Sequence, residues 1–233
     1  MLIYGFHPIR EALRHRPHEV EKVLLAERRG GRRAEEVERL CARQRIPVER
    51  VRSSDLAKRV EGVHNGFVAY LRGTAEETVS KGDPELVVLV EDLQDPRNLG
   101  ALLRVCEGAG VGRVLIRDRG SAQVTAAVVK TSAGAAEWLS IDRVPNTAAA
   151  IEAHRDQGYW VYGADGEGDP CWGVDLTGKV LLCIGGEEKG LRPRTRKVCD
   201  RLVGLPMQGQ VESLNVSTAA SALLFEALRQ RRG

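Results

Sequence analysis

The sequence predicts an α/β protein in two parts: a larger parallel-sheet domain over 85–233 and a small α/β domain over 1–72, joined by a linker over 73–84. Three observations carry this reading. From Leu86 onward, strand-like and helix-like segments alternate, the order that builds a parallel sheet with helices on both faces. Leu86-Val87-Val88-Leu89-Val90 is a continuous apolar run, as in a strand buried on both faces. Charge is uneven: residues 1–72 hold 16 Lys+Arg against 10 Asp+Glu, a net of +6, whereas the rest hold 19 against 22, a net of −3. A basic module beside a near-neutral one suggests a polyanion-binding part and a chemistry part.

The first part opens with a predicted strand, Glu21–Ala26, followed by the basic, glycine-bearing loop Arg28-Arg29-Gly30-Gly31-Arg32-Arg33. Val37, Leu40 and Cys41 recur at helical spacing within 34–45. Ile46–Val51 is a second strand, Ser53-Ser54-Asp55 caps a short helix running to Val60, and the turn His64-Asn65-Gly66 leads into a third strand, Phe67–Leu71. Residues 72 to 84 are polar and poor in apolar side chains, the character of a linker. In the second part Asp95-Pro96 opens a helix whose apolar face is Leu99, Leu102, Leu103, Cys106 and Ala109. Strands are predicted at 114–116, 138–141, 159–162, 180–184 and 202–205, and helices at 122–130, 147–157 and 213–231.

Several function classes are excluded or disfavoured. No apolar run approaches the roughly 20 residues that span a bilayer, and the N-terminus lacks a signal-peptide pattern, so a soluble cytoplasmic protein is expected. The five cysteines, Cys41, Cys106, Cys171, Cys183 and Cys199, are odd in number with no C-x-x-C pair, which fits neither a disulfide framework nor zinc. The five histidines do not cluster, so no metal is expected. No glycine fingerprint for dinucleotides or triphosphates follows a strand.

Ligands of open parallel sheets bind beyond the carboxyl ends of the strands. Three such segments are rich in Gly, Asn and charge: 91–100, 185–192 and 206–215. The second, Gly185-Gly186-Glu187-Glu188-Lys189-Gly190, puts carboxylates where a phosphate would want positive charge. It suits a ligand with hydroxyls and a cationic centre, the character of the sulfonium S-adenosylmethionine.

At these residues the chain resembles the SpoU family of RNA ribose methyltransferases, within the SPOUT superfamily. Asn98, Gly100 and Arg104 match its first motif; Gly185, Glu187, Gly190 and Leu191 its second; Pro206-Met207, Gly209 and Ser213-Leu214-Asn215-Val216-Ser217 its third. Lys130-Thr131-Ser132-Ala133-Gly134-Ala135 also resembles a family segment. Glu188 departs from the pattern, which usually has a small residue there. The opening Tyr4-Gly5-Phe6-His7-Pro8-Ile9-Arg10-Glu11-Ala12-Leu13 resembles the extra RNA-binding domain of a branch that modifies a guanosine of 23S ribosomal RNA.

The resemblance implies a trefoil-knotted C-terminal domain, a homodimer formed through it, and S-adenosylmethionine bound by Thr131, Ile184, Gly185, Leu205, Pro206, Met207, Ser213 and Leu214. It implies catalytic roles for Arg104, Asn98, Glu187, Ser213 and Asn215. Each has a plainer reading. Arg104 can be a solvated helix residue, but its motif position favours holding the neighbouring phosphate and stabilising the developing alkoxide; guanidinium stays protonated and is a poor base. Asn98 either caps its helix or orients Arg104 or the ribose. Glu187 is a loop charge, an anchor for Arg104 or a substrate acceptor. Ser213 and Asn215 are an N-cap and a first-turn residue, or substrate contacts, or both. Arg28, Arg29, Arg32 and Arg33 are the expected RNA contacts of the small domain. The substrate expected is ribosomal RNA, free or in a ribosome precursor. A transfer RNA methyltransferase is disfavoured by the extra domain, a non-catalytic RNA-binding protein by the intact motif residues.

Overall fold

The computed structural model describes residues 2–60, 64–72, 84–211 and 213–232. Chain contacts divide it into two compact units, Met1–Glu76 with Val124–Trp138, and Glu77–Gln123 with Leu139–Gly233. All of the expected linker but its last residue lies outside the described residues, as do 61–63, and the helix expected to run to Val60 ends at Ala57.

Unit 1 is built on a four-stranded sheet. Its strands are β1 (Leu2–Tyr4), β2 (Val20–Ala26), β3 (Val48–Val51) and β4 (Phe67–Leu71), in the order β1-β4-β2-β3. β4 runs antiparallel to both neighbours and β2 parallel to β3. The hairpin-like entry to β4 uses Asn65 (φ 50°) and Gly66 (φ 83°), and the Gly66 amide donates to His64 Nδ1 at 3.0 Å. Two apolar clusters use the alternation of these strands. Val23, Leu25, Phe67 and Ala69 pack with Ile9 and Leu13 of α1 (Phe6–His15) and Val37 and Cys41 of α2 (Arg32–Gln44). Leu24 and Val68, pointing the other way, pack with Leu56 of α3 (Ser53–Ala57).

Residues 124–138, which the strand–helix alternation assigns to the larger domain, belong to unit 1. The reason is apolar: Val129 joins the core of Ile9 and Leu13, with Val124 and Ala136 against it. The helix expected at 122–130 starts later, at Ala126, after Thr125 in extended backbone. Glu137, whose side chain is fully buried, is held by Arg16 Nε; burial raises its carboxyl above the usual range and Arg16 opposes the rise.

Unit 2 is a six-stranded sheet in the order β10-β8-β9-β5-β6-β7, every pairing parallel. The strands are β5 (Leu86–Val90), β6 (Arg113–Arg117), β7 (Ser140–Val144), β8 (Trp160–Pro170), β9 (Val180–Ile184) and β10 (Arg201–Gly204). β5 and β9 are adjacent and every residue in each is buried, as the unbroken apolar runs require. The helices are α4 (Pro96–Gly108), α6 (Thr147–Asp156), α7 (Pro193–Val198) and α8 (Val216–Arg232); α5 (Ala126–Thr131) lies in unit 1. Asp95 caps α4 by accepting the Arg97 amide at 2.8 Å, with Pro96 in the first turn. From β10, at one sheet edge, the chain returns so that α8 packs on α4.

Two differences from the sequence reading have clear causes. β8 extends through Gly163–Pro170, a glycine- and aspartate-rich stretch with no strand pattern, because it pairs with β10 through a register shift at Leu202/Val203. A Cβ on Gly168 would lie 2.5 Å from Val203 N, so glycine permits that approach. The strand expected at 138–141 is Ser140–Val144, and Trp138 ends a turn with 48% of its surface exposed. Among the described residues, no helix is long and apolar enough to cross a membrane.

Cys41, Cys106, Cys171 and Cys183 are buried, and only Cys199 is half-exposed. Burial pushes the Cys41 thiol up to about 12. Titration of the native protein at pH 8 with a chromogenic disulfide is therefore expected to modify Cys199 alone, and all five thiols after denaturation. Two or more rapidly reacting thiols in the native state would contradict this packing.

Candidate active site

Because the sheet of unit 2 is parallel, β5, β9 and β10 end on the same edge, and the three motif segments follow these strands. β9 delivers Gly185 into a tight turn. Gly186 and Gly190 form an antiparallel bridge, each amide donating to the other's carbonyl at 3.1 Å, so Glu187, Glu188 and Lys189 project at its tip. Gly190 has φ 60°, and a Cβ on Gly185 would sit 2.0 Å from the Gly190 carbonyl carbon. Glycine at 185 is thus a packing requirement.

The turn is anchored from β5. Glu91, fully buried at the end of that strand, accepts the Arg192 amide at 2.7 Å and the Thr195 hydroxyl at 2.9 Å. Asp92 accepts Arg117 Nη1 at 2.8 Å and Arg192 Nε at 2.5 Å. Neither residue stands out by spacing; two carboxylates after a buried strand are the only signal the sequence offers for them.

Three motif side chains meet. Asn98 Nδ2 donates to Glu187 Oε1 at 2.5 Å, and Asn215 Nδ2 donates to Asn98 Oδ1 at 3.1 Å. Asn215 Oδ1 accepts the Ser217 amide at 2.9 Å and the Ser217 hydroxyl at 2.7 Å, so Asn215 also caps α8. Asn215, expected in the first turn with Ser213 as the cap, is itself the cap as well as a cluster member, and Ser213 lies outside the helix; Asn98 is not the cap of α4, because Asp95 is. Glu187 holds Asn98 rather than Arg104. Arg104 is exposed on α4, with no hydrogen bond or ion pair among the described residues.

Beside this junction lies a cavity of about 330 Å³. Ile184, Gly185, Leu205, Met207, Ser213 and Leu214 line it, as the motifs imply. Ala164, Asp165 and Gly166 of β8 line it too; the sequence reading missed them, because that stretch carries no motif. Pro206 and Thr131 do not line it. Pro206 is exposed between two lining residues, and Thr131, in unit 1, turns its hydroxyl to the Ala127 carbonyl at 2.9 Å. Leucines, valine and isoleucine form one wall, while the charged side chains are Asp165, Glu187 and Glu188; among the described residues no lysine or arginine lines it. A neutral adenosine with a cationic sulfur fits this donor set; a polyphosphate does not. Among the described residues no three His, Cys, Asp or Glu side chains are grouped to hold a metal ion.

On the basic loop, Arg28 and Arg32 are exposed and without a hydrogen bond or ion pair among the described residues. Arg29 and Arg33 instead lie over aromatic rings, 5.1 Å from Phe67 and 5.3 Å from Phe6.

Comparison with known proteins matches this arrangement. Residues 85–225 match the SpoU rRNA Methylase family, and residues 2–75 match the RNA 2′-O ribose methyltransferase substrate binding family. The chain is 39% identical over 239 residues to 23S rRNA (guanosine-2′-O-)-methyltransferase RlmB of Pseudomonas putida, covering 99% of this chain and 96% of that protein. It is 41% identical to the RlmB of Pseudomonas aeruginosa, over 98% of this chain and 96% of that one. The crystal structure of the SpoU methyltransferase AviRb from Streptomyces viridochromogenes, in complex with the cofactor AdoMet, superimposes with a TM-score of 0.82 at 29% identity, over 99% of this chain and 90% of that one. With its three motifs converging on one edge of a parallel sheet and a profile match across most of unit 2, the chain belongs to the SpoU rRNA methylase family.

Proposed function

We propose that the protein transfers a methyl group from S-adenosylmethionine to the ribose 2′-hydroxyl of a guanosine in 23S ribosomal RNA. The observation that carries this reading is the Glu187–Asn98–Asn215 junction beside a cavity walled by Gly185, Leu205 and Leu214. The near full-length likeness to RlmB proteins supports the substrate, and AviRb with its AdoMet supports the cofactor.

When bound, the cofactor supplies a methyl group made electrophilic by its sulfonium. Ile184, Gly185, Leu205, Met207 and Leu214 would hold its adenosine part, with Asp165 and Glu187 facing its positive centre. The rest falls to the chain. Asn98, bonded on both sides, fixes the direction of the Glu187 carboxylate. Glu187 Oε2, with no partner among the described residues, accepts the hydrogen of the ribose hydroxyl. Arg104, uncommitted and always charged, takes the adjacent phosphate and stabilises the oxygen as it gains charge.

The deciding experiment incubates the protein and S-adenosylmethionine with 23S RNA from a strain lacking this activity, then maps ribose methylation by alkaline hydrolysis. One new 2′-O-methylguanosine is expected. Methyl groups on bases, or on transfer RNA alone, reject the reading. We also place the protein in the cytoplasm, with its RNA, as a homodimer through unit 2. The family resemblance and Phe225, 46% exposed on α8, support that assembly. Light scattering should give twice the 25.5 kDa chain mass, and a species at the chain mass rejects it.

Unit 1 is proposed to supply RNA affinity. Deleting residues 1–72 would test this poorly, because it would strip the apolar partners from Val129. Arg28→Ala/Arg32→Ala keeps the fold. It should weaken RNA binding and lower the slope of log affinity against log salt by roughly 1.4–1.8, since two phosphates lose their partners. An unchanged slope would remove these arginines from the interface.

A further inference from the structure

A second cavity, of about 300 Å³, shares the Gly186–Gly190 turn with the first and extends to Asp92, Gln94, Gly120 and Arg192. Its character is different. No apolar side chain lines it among the described residues, so it is no continuation of the adenosine wall.

Its floor is fixed. Asp92, a non-glycine residue at φ 56°, is held in left-handed backbone, a conformation that persists where surrounding structure enforces it and that collects at functional sites. Its carboxylate is occupied by Arg117 and Arg192, and its Oδ1 fills the space where a Cβ of Gly120 would be, 2.4 Å away. The groups around this floor are uncommitted. Among the described residues, no hydrogen bond or ion pair engages the side chains of Gln94, Glu188 or Lys189, and the bond from Arg192 to Asp92 uses only Nε. Glu188 is the residue that departs from the family's second motif.

We infer that this cavity seats the base of the nucleotide that is methylated, and that Glu188 selects guanine there. The inference rests on the ribose-methylation reading above. Guanine offers two adjacent N–H donors, N1–H and N2–H, on its Watson–Crick edge and two acceptors, N7 and O6, on the other edge. One carboxylate accepts both donors, and a guanidinium or ammonium serves both acceptors. Glu188 with Arg192 and Lys189 is that complement. Adenine would present an unprotonated N1 to the carboxylate, and uracil a single N–H between two carbonyls, so both are repelled. With no aromatic ring in the lining among the described residues, the cavity reads an edge rather than stacking a face, which requires an unpaired or extruded nucleotide. Glu187 lines both cavities, so a base in the second leaves its ribose near the Asn98 junction.

The test uses two RNA fragments that differ at the mapped target, guanosine in one and inosine, which lacks the 2-amino group, in the other. Single-turnover methylation is measured alongside S-adenosylmethionine titration. The parent should methylate guanosine about 10- to 100-fold faster than inosine, the discrimination of one good base contact. Glu188→Ala should bring that ratio to within about threefold by slowing the guanosine RNA, and Glu188→Gln, which keeps one acceptor, should fall between. Because Glu188 lines the first cavity as well, both RNAs are compared at saturating S-adenosylmethionine, where a change of cofactor affinity drops out of the ratio. A parent without preference, or a Glu188→Ala protein that keeps the parent's ratio, overturns the inference alone. A parent that methylates neither RNA removes the ribose-methylation reading and this inference with it.

Discussion

Arg104→Ala is expected to lower single-turnover methylation by about 100- to 1000-fold, the usual cost of removing one preorganised group that meets charge developing in the transition state. The methyl donor is already activated by its sulfonium, so the demanding partner is the nucleophile. A ribose hydroxyl is a weak acid, and its oxygen gains negative charge as it attacks. Arg104 is a motif cation with no partner among the described residues: it stands exposed on α4, two turns beyond the capped end. Nothing in the fold has to be broken for it to turn to substrate, so its removal should leave stability unchanged. It does not line the cofactor cavity, so the cofactor dissociation constant should stay within about threefold. Arg104→Lys should recover little, because an ammonium lacks the planar fork that grips phosphate at two points. Activity within tenfold of the parent would take the role from Arg104 and leave it to Glu187 or Asn215.

How much of this was legible in advance depends on the range of the interactions involved. The apolar runs Leu86–Val90, Val180–Ile184 and Phe67–Leu71 predicted their strands to the residue, because a doubly buried strand is specified by its own composition. The same holds for Asp95-Pro96 at the start of α4, where cap and first turn are neighbours in sequence. Interactions between segments distant in sequence were not legible. Residues 163–170 became strand only because β10 pairs with them, and they brought Asp165 to the cavity without a motif to announce it. Val129 left the larger domain because apolar partners in unit 1 took it. The short helix α7 was missed for the same reason: its six residues, half of them basic, are held by Thr195 against a buried Glu91 more than a hundred positions earlier. In the site, the motif pattern supplied Asn98, Glu187 and Asn215 as separate candidates; that they bond in a row, with Arg104 left out of it, required coordinates.

The same contrast between local and distant constraint gives the other large effect, Gly185→Ala. A single methyl group added here has nowhere to go. It would lie 2.0 Å from the Gly190 carbonyl carbon, 2.2 Å from the carbonyl oxygen and 2.2 Å from Leu191 N, all backbone atoms that no rotamer change can move. Relief must come from opening the Gly186–Gly190 bridge, but that turn is tethered behind by the Arg192 amide on Glu91 and the Arg192 guanidinium on Asp92. The displaced residues would be Glu187, which orients through Asn98, and the cavity wall at Gly185 itself. Cofactor affinity is therefore expected to fall at least about 100-fold, and methylation with it, since the site must be held to about half an ångström to work. Gly209→Ala is the matched control. Gly209 belongs to the third motif, yet its Cβ would meet nothing within 4 Å and its φ is not in the left-handed region. It should keep cofactor affinity within about threefold of the parent. Calorimetric titration of both variants, each checked for folding by thermal melting, separates the two. Equal affinity for Gly185→Ala and Gly209→Ala would mean that the turn after β9 yields without cost, and that the close backbone packing seen there does not shape the cofactor cavity.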